Sequence, residues 1–92
     1  MIGKFRHKGL KRLYEHDSTR GVQAEHAERL RLILTNLDVA KEPKDLDLPG
    51  YRLHQLKGDR AGTWSITVSG NWRVTFEFEG DDVSNVDYED YH

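Results

Sequence analysis

The stretch WSITVSGNWRVTFEFE, residues 64–79, predicts the core of the fold. Apolar and polar residues alternate on both sides of a Ser69-Gly70-Asn71 turn, and the apolar positions are Trp64, Ile66, Val68, Trp72, Val74, Phe76 and Phe78. A period of two is typical of a strand with one buried face, and a short glycine-containing turn between two such runs predicts a β-hairpin. One face of the hairpin should therefore be apolar and the other polar.

Similar patterns continue on both sides of this hairpin. Upstream, residues 51–56 are predicted to form a strand that leads into a glycine-bracketed loop at residues 57–62. Downstream, Gly80-Asp81 makes another tight turn, and a last strand is predicted from about Val83 to Tyr88. Because short turns join antiparallel neighbours, the C-terminal half is expected to form a small, mostly antiparallel sheet.

The N-terminal half has a helical period instead. Apolar side chains recur every three or four positions in residues 7–17 and again in residues 22–40, which predicts two amphipathic helices. The prolines of residues 41–50 end any continuation, so this segment is a loop with room for one helical turn. Residues 2–5 fit an edge strand or the run into the first helix. We expect an α+β fold in which both helices pack on one face of the sheet, in a single domain over residues 1–92.

The composition excludes several classes of protein. There is no cysteine, so disulfides and thiolate metal sites are absent, which fits a reducing compartment. The N-terminus lacks the apolar stretch of a signal peptide, and the longest aliphatic run, residues 32–34, is far too short to span a bilayer. We expect a soluble, cytoplasmic protein with no membrane partner.

Charge is segregated along the chain although the net charge is only −2. Residues 1–31 hold eight Lys and Arg against four acids, a net of +4, whereas residues 77–91 hold seven acids and no base. Such asymmetry favours a basic face that meets nucleic acid or an acidic partner, and the alternative is a mixed, solvated surface.

The polar face of the hairpin offers groups that suit a phosphodiester. Arg73 lies between two apolar positions and so faces away from the helices, and the same parity puts Arg52 and His54 on that face. Lys57 and Arg60 follow in the next loop. Cations and an imidazole within one sheet-sized area can bind a phosphate and neutralise charge in its transition state. An ordinary exposed position is the alternative for each base alone.

A second set of groups stands at the carboxyl end, Tyr88-Glu89-Asp90-Tyr91-His92. A histidine can titrate near neutral pH, and an adjacent aspartate can orient it or share its proton. The other histidines, His7, His16 and His26, lie on the predicted helices without metal-ligand spacing and are expected to be solvent-exposed. No metal or cofactor is expected, and parity places Trp64 and Trp72 in the core.

Taken together, four strings resemble one family: LKGDR at residues 56–60, WSITV at 64–68, NWRVTF at 71–76 and YEDYH at 88–92. The chain resembles the HigB toxins of bacterial toxin–antitoxin systems, in the RelE/ParE superfamily, over essentially its whole length. The resemblance implies a RelE-like fold. It also implies a ribosome-dependent endoribonuclease, an mRNA interferase that cuts messenger RNA in the ribosomal A site and so inhibits translation.

The active-site positions of that family match six residues here: His54, Lys57, Arg73, Asp90, Tyr91 and His92. The resemblance implies metal-free cleavage in which His92 is the principal proton-transfer group and Asp90 orients it or serves as the alternative base. Lys57 and Arg73 would hold the phosphate. Tyr91 would position a base or sugar, and His54 would be the second proton donor or a positioning group.

The resemblance also implies partners. These are a HigA-type helix-turn-helix antitoxin, the 30S A site with its ribosomal RNA, and mRNA, with the toxin monomeric when free and hetero-oligomeric with its antitoxin. Six basic residues are predicted to contribute to the ribosomal RNA contact through salt-dependent binding: Lys8, Lys11, Arg12, Arg20, Arg29 and Arg31.

Two other functions use the same fold or the same charges. ParE-type relatives inhibit DNA gyrase by binding and are not nucleases, and a plain RNA-binding module would leave the terminal cluster without a task. Because some relatives carry Lys and Arg at the positions of His54 and His92, these two imidazoles favour the nuclease branch.

Overall fold

The computed structural model of this protein describes residues 1–91. In these residues two helices pack on a four-stranded antiparallel sheet, as the sequence pattern predicted. The helices are α1 (Lys8–His16) and α2 (Ala27–Val39), and the strands are β1 (His54–Gln55), β2 (Trp64–Ser69), β3 (Trp72–Glu79) and β4 (Asp82–Asp90). Single turns of 3₁₀ helix lie at Ala24–His26, Pro43–Leu46 and Gly58–Arg60.

The order of the strands in the sheet is the order of the strands in the chain, β1-β2-β3-β4. The predicted hairpin is present: Ile66 of β2 lies opposite Val74 of β3, and Trp64 lies opposite Phe76. The N-terminal segment then runs parallel to β4, with bridges from Ile2 and Phe5. Residues 2–5 are therefore an edge of the sheet rather than part of α1.

One extra residue in β4 interrupts its pairing with β3. Thr75 lies opposite Asp87 and Glu77 lies opposite Ser84, so two steps along β3 match three steps along β4. Asn85 occupies this bulge with a φ of 53°, a left-handed conformation that asparagine tolerates better than most residues.

The bulge shifts the face on which each later residue of β4 lies. Val83, Val86 and Tyr88 are all buried, although strict alternation would put Val83 and Val86 on opposite faces. Beyond the bulge, Glu89 lies opposite Arg73 and Asp90 lies opposite Trp72. Since cross-strand partners share a face, Glu89 lies on the helix-free face and Asp90 on the helix side.

The core lies between the helices and the apolar face of the sheet. It combines apolar side chains from α1, α2 and the three long strands, and fully buried members include Leu10, Leu30, Ile33, Leu37, Ile66, Val74, Phe76, Val83 and Val86. Trp64 and Trp72 are partly buried and pack against this cluster. No helix within residues 1–91 has the length and apolar character needed to cross a membrane.

Two predicted elements are shorter than the sequence pattern indicated. Residues 51–56 were predicted as a strand, but β1 is only His54–Gln55 because Arg52 has a φ of 49° that breaks the extended backbone. The second helix was predicted from about residue 22, but Gln23 is extended and one 3₁₀ turn precedes α2.

α1 is fixed at both ends by side chains. At its start, Nδ1 of His7 accepts a hydrogen bond from the Leu10 N–H at 3.1 Å, so this imidazole is the N-cap. At its end, Asp17 adopts a left-handed conformation and accepts a hydrogen bond from Nε of Arg31 at 2.7 Å. The second contact ties the end of α1 to α2.

The backbones of α1 and of the segment before α2 touch at two glycines. A Cβ added to Gly9 would lie less than 3.0 Å from three backbone atoms of Gly21, and a Cβ added to Gly21 would meet the Cα of Gly9. No side chain fits between these backbones, so the packing of α1 requires glycine at both positions.

Gly9→Ala should therefore destabilise the protein, although alanine is normally the better residue within a helix. We expect a loss of about 1–3 kcal/mol in the free energy of unfolding, the usual cost of overpacking, in chemical denaturation. Gly3→Ala is the matched control, because its Cβ would be 3.8 Å from the nearest atom. Equal stability of both variants would show that the two backbones can separate without cost.

The His7 cap should make stability depend on pH. Burial lowers the pKa of His7, although Asp87 acts in the opposite direction. Because the folded-state pKa is below the ordinary value of about 6.5, the contribution of neutral His7 is complete above that pH and is lost as the pH falls through the folded-state pKa. His7→Asn keeps an N-cap acceptor without a titrating group. Its free energy of unfolding should fall less than that of the wild type between pH 7.5 and 5, and parallel curves would contradict this role.

Candidate active site

A pocket of about 250 Å³ lies on the helix-free face of the sheet. Residues of β1, β2 and β3, the loops around β1 and the carboxyl end of the chain line it: Arg52, His54, Leu56, Ser65, Thr67, Arg73 and Tyr91. Three of the six residues predicted for catalysis, His54, Arg73 and Tyr91, are therefore brought together. The prediction that Arg73 and His54 share the open face is confirmed.

The register of the sheet explains how these residues meet. His54 lies opposite Ser65 and Arg73 lies opposite Thr67, so His54 and Arg73 flank neighbouring same-face positions of β2. Ser65 and Thr67 are small or short side chains, and between the two larger residues they leave a depression. The pocket thus presents an imidazole and a guanidinium over a hydroxyl-bearing floor.

The guanidinium of Arg73 is held by the hairpin turn. Its Nη1 donates to the carbonyl oxygen of Gly70 at 2.6 Å and to that of Trp72 at 3.1 Å. Both of these bonds use Nη1, so Nε and Nη2 are the donors that suit an incoming anion. A guanidinium with a fixed orientation binds a phosphate with less loss of side-chain entropy than a mobile one.

Lys57 and Arg60, the two loop cations, have different environments. Lys57 is exposed and directly precedes the 3₁₀ turn Gly58–Arg60, outside the residues that line the pocket. Arg60 was grouped with the phosphate-binding cations from its sequence position, but the structure pairs it with a carboxylate. Its Nη1 and Nη2 donate to Oε1 and Oε2 of Glu89 at 2.8 and 2.9 Å.

Glu89 completes a polar network beside the pocket. Thr75, which is buried, donates a further hydrogen bond from its hydroxyl to Oε2 at 2.8 Å. The bidentate contact with Arg60 is the main cause that lowers the pKa of Glu89 below its ordinary range, against the opposing effect of burial. The carboxylate is therefore charged at neutral pH and neutralised by Arg60.

The terminal residues Asp90 and Tyr91 lie at different cavities. Tyr91 is 42% exposed and lines the pocket. Asp90 lies on the helix side and lines a different cavity, while His92 lies outside the described residues. The catalytic roles of all six residues stay predictions.

The cavity that Asp90 lines is the larger one, at about 690 Å³, between α2 and the β2–β3 turn. His26, Arg29, Asn71 and Trp72 contribute to it. His26 was expected to be solvent-exposed and that prediction is wrong: the side chain is buried, and its Nδ1 pairs with the hydroxyl of Tyr88 on β4. Tyr88 belongs to a strand far along the chain from His26, so no local sequence pattern indicates this contact.

The six basic residues predicted for ribosomal RNA divide into two groups. Five of them are exposed, and Arg29 is half-buried; the exposed ones are Lys8, Lys11, Arg12, Arg20 and Arg31. Arg29 donates to the carbonyl oxygens of Thr67 and Gly50 and lies over the ring of Tyr51, and Arg31 is paired with Asp17. The first four are consequently the better candidates for a nucleic-acid contact.

Metal-binding geometry is absent from residues 1–91. They contain no group of three or more His, Asp or Glu side chains placed to hold a metal ion. The groups that the described part of the pocket offers to a substrate are thus an imidazole, two guanidinium groups, hydroxyls and a phenol.

Comparison with known proteins places these features in context. Residues 3–92 match the family described as the RelE-like toxin of type II toxin–antitoxin system HigB. A protein of Proteus vulgaris named Endoribonuclease HigB is 50% identical over 92 residues, which are the whole of both chains.

Proposed function

Since the chain belongs to the HigB family of RelE-like toxins of type II toxin–antitoxin systems, we propose that it is an endoribonuclease that cleaves messenger RNA in the ribosomal A site without a metal ion. The observation that carries this proposal is the pocket that unites His54, Arg73 and Tyr91 from separate segments of the chain. These residue types suit RNA cleavage, and the Proteus vulgaris relative is named an endoribonuclease.

The chemistry requires two proton transfers and one site for negative charge. The 2′-hydroxyl attacks the adjacent phosphorus as it loses its proton, and the 5′-oxygen leaves as it gains one. Between these steps the phosphorane carries extra negative charge. His92 and His54 divide the proton transfers in this proposal. Asp90, which lies on the helix side of the sheet, would have to act from that side as the orienting group or the alternative base.

The cations of the site stabilise the phosphorane. Arg73, anchored at Gly70, donates to its equatorial oxygens, and Lys57 approaches from the loop after β1 as a second charge. Tyr91 stands at the mouth of the pocket, where its ring can pack on a base or sugar.

The family and the proposed substrate support a set of proposed partners. A type II toxin has an antitoxin partner, and we propose that it is a HigA-type helix-turn-helix protein that forms a hetero-oligomer with the otherwise monomeric toxin. The exposed bases of α1 and the following loop contact ribosomal RNA. The protein acts in the cytoplasm, where ribosomes translate.

Arg73→Ala should reduce single-turnover cleavage on programmed ribosomes by on the order of 10²-fold, because a donor aimed at developing charge acts mainly in the transition state. Lys44→Ala, an exposed base in the 3₁₀ turn Pro43–Leu46, is the control and should cleave at the wild-type rate. If Arg73→Ala weakens ribosome binding but cleaves at an unchanged single-turnover rate, Arg73 is a docking residue instead.

The burial of the aromatic residues supports the proposed dependence on the ribosome. A free ribonuclease usually grips single strands with exposed aromatics along a basic groove, but Phe76 is buried and Trp64, Trp72 and Phe78 pack against the core. The ribosome would then have to position the 2′-hydroxyl, an effect worth several kcal/mol.

The purified protein should therefore cleave naked mRNA weakly or not at all, and cleave the same message promptly on ribosomes with an empty A site. Primer extension maps the cuts, and His92→Gln, which should remove nearly all cleavage, identifies contaminating nuclease. Equal rates on both substrates would replace the ribosome-dependent function with that of a general RNase. Growth arrest without any discrete cut would favour a ParE-like inhibitor of gyrase.

A further inference from the structure

Arg73 has a neighbouring carboxylate in the sheet that could neutralise its charge. Its direct cross-strand neighbour on β4 is Glu89. Side chains directly opposite each other in an antiparallel pair have Cβ atoms about 5 Å apart, and opposite charges at such positions usually pair. An Arg73–Glu89 pair would neutralise the guanidinium that the proposed function needs for a phosphate.

The structure does not contain that pair. Both oxygens of Glu89 are bound to Arg60, and Oε2 also accepts the hydroxyl of Thr75. The described hydrogen bonds of Arg73 go to the carbonyl oxygens of Gly70 and Trp72, which carry no net charge. The glutamate is thus diverted to an arginine from a separate loop.

We propose that Arg60 is a positioning residue that occupies Glu89 and thereby keeps the charge of Arg73 available to the RNA phosphate. This inference rests on the proposed function of the pocket. Arg60 makes no contact with the reacting atoms in this role and acts only through Glu89.

The geometry suits this role better than a role as a third phosphate-binding cation. A bidentate contact at 2.8 and 2.9 Å engages both Nη1 and Nη2 of Arg60, so neither nitrogen has its full set of donors for a phosphate. The paired side chains are 35% and 25% exposed, so the contact is partly shielded from solvent. Glu89 therefore has a better partner in Arg60 than in its strand neighbour.

The same ion pair has a simpler possible role, which the test must separate. Arg60 lies three residues after Lys57, so the contact with Glu89 also fastens the loop that carries Lys57 to the sheet. A loop brace would fail when either partner is changed. Protection of Arg73 would fail only when Arg60 is removed while the charge of Glu89 remains.

Three variants distinguish these roles by single-turnover cleavage on programmed ribosomes. Arg60→Met should reduce the rate by about tenfold or more, because the freed carboxylate neutralises a transition-state donor. Glu89→Gln and the double variant Arg60→Met/Glu89→Gln should both cleave within about threefold of the wild type, because neither has a charge that can capture Arg73. An equal loss in all three variants would overturn the proposal in favour of a loop brace.

A structural measurement makes the result independent of RNA. In a crystal structure of Arg60→Met, Arg73 should form an ion pair with Glu89 that the double variant cannot form. If the wild type proves not to cleave RNA, the proposed function fails, while this contact still decides whether Arg60 holds Glu89 away from Arg73. An Arg73 that stays on Gly70 without touching Glu89 in Arg60→Met would refute the inference.

Should Arg60→Met fail to fold, Arg60→Lys provides the second comparison. Lysine keeps a charge but loses the planar bidentate contact. Cleavage by this variant should be lower than that of the wild type by about threefold and should be restored by adding Glu89→Gln. A deficit that the second substitution does not restore would again point to the loop.

Discussion

The packing of β4 depends on the single extra residue at Asn85. Val83 and Val86 are three positions apart, yet both must point into the core, which a regular strand cannot achieve. The bulge solves this by one residue in a left-handed conformation. The bulge reverses the alternation, and so decides on which face of the sheet each later residue of the chain lies. Tyr88 therefore enters the core, while Glu89 and Tyr91 reach the open face.

Prediction from the sequence succeeded where a periodic pattern decided the structure. The alternation in residues 64–79 correctly predicted the hairpin, its buried face and the position of Arg73 on the open face. The prediction of a strand at residues 51–56 was wrong, because a left-handed backbone at Arg52 leaves no periodic signal in the sequence. The spacing of Val83 and Val86 was a visible sign of the bulge, but the predicted strand, about Val83 to Tyr88, was too short for that sign to outweigh regular alternation.

The long-range side-chain contacts at the two cavities could not be predicted for a different reason. His26 and Tyr88 are 62 positions apart, and Arg60 and Glu89 are 29 apart. Such pairs arise from the docking of one element on another, and a single sequence does not reveal which of several acids will meet a given base. The basic residues show the same limit, since half-buried Arg29 donates to the backbone carbonyl oxygen of Thr67 while Arg12 is exposed.

The two flanks of the sheet bear on how other chains can recognise this domain. On the β2 side, the short β1 is extended by loop contacts, such as the Thr67 N–H that donates to the Tyr51 carbonyl oxygen. On the β4 side, the N-terminal segment pairs with Val83 and Val86, and the remaining edge, residues 87–90, carries three acids. Covered or charged edges resist the addition of a foreign strand. The β4 side is therefore unsuited to the addition of a strand from another chain, and a partner that contacts this edge would bind it through side chains.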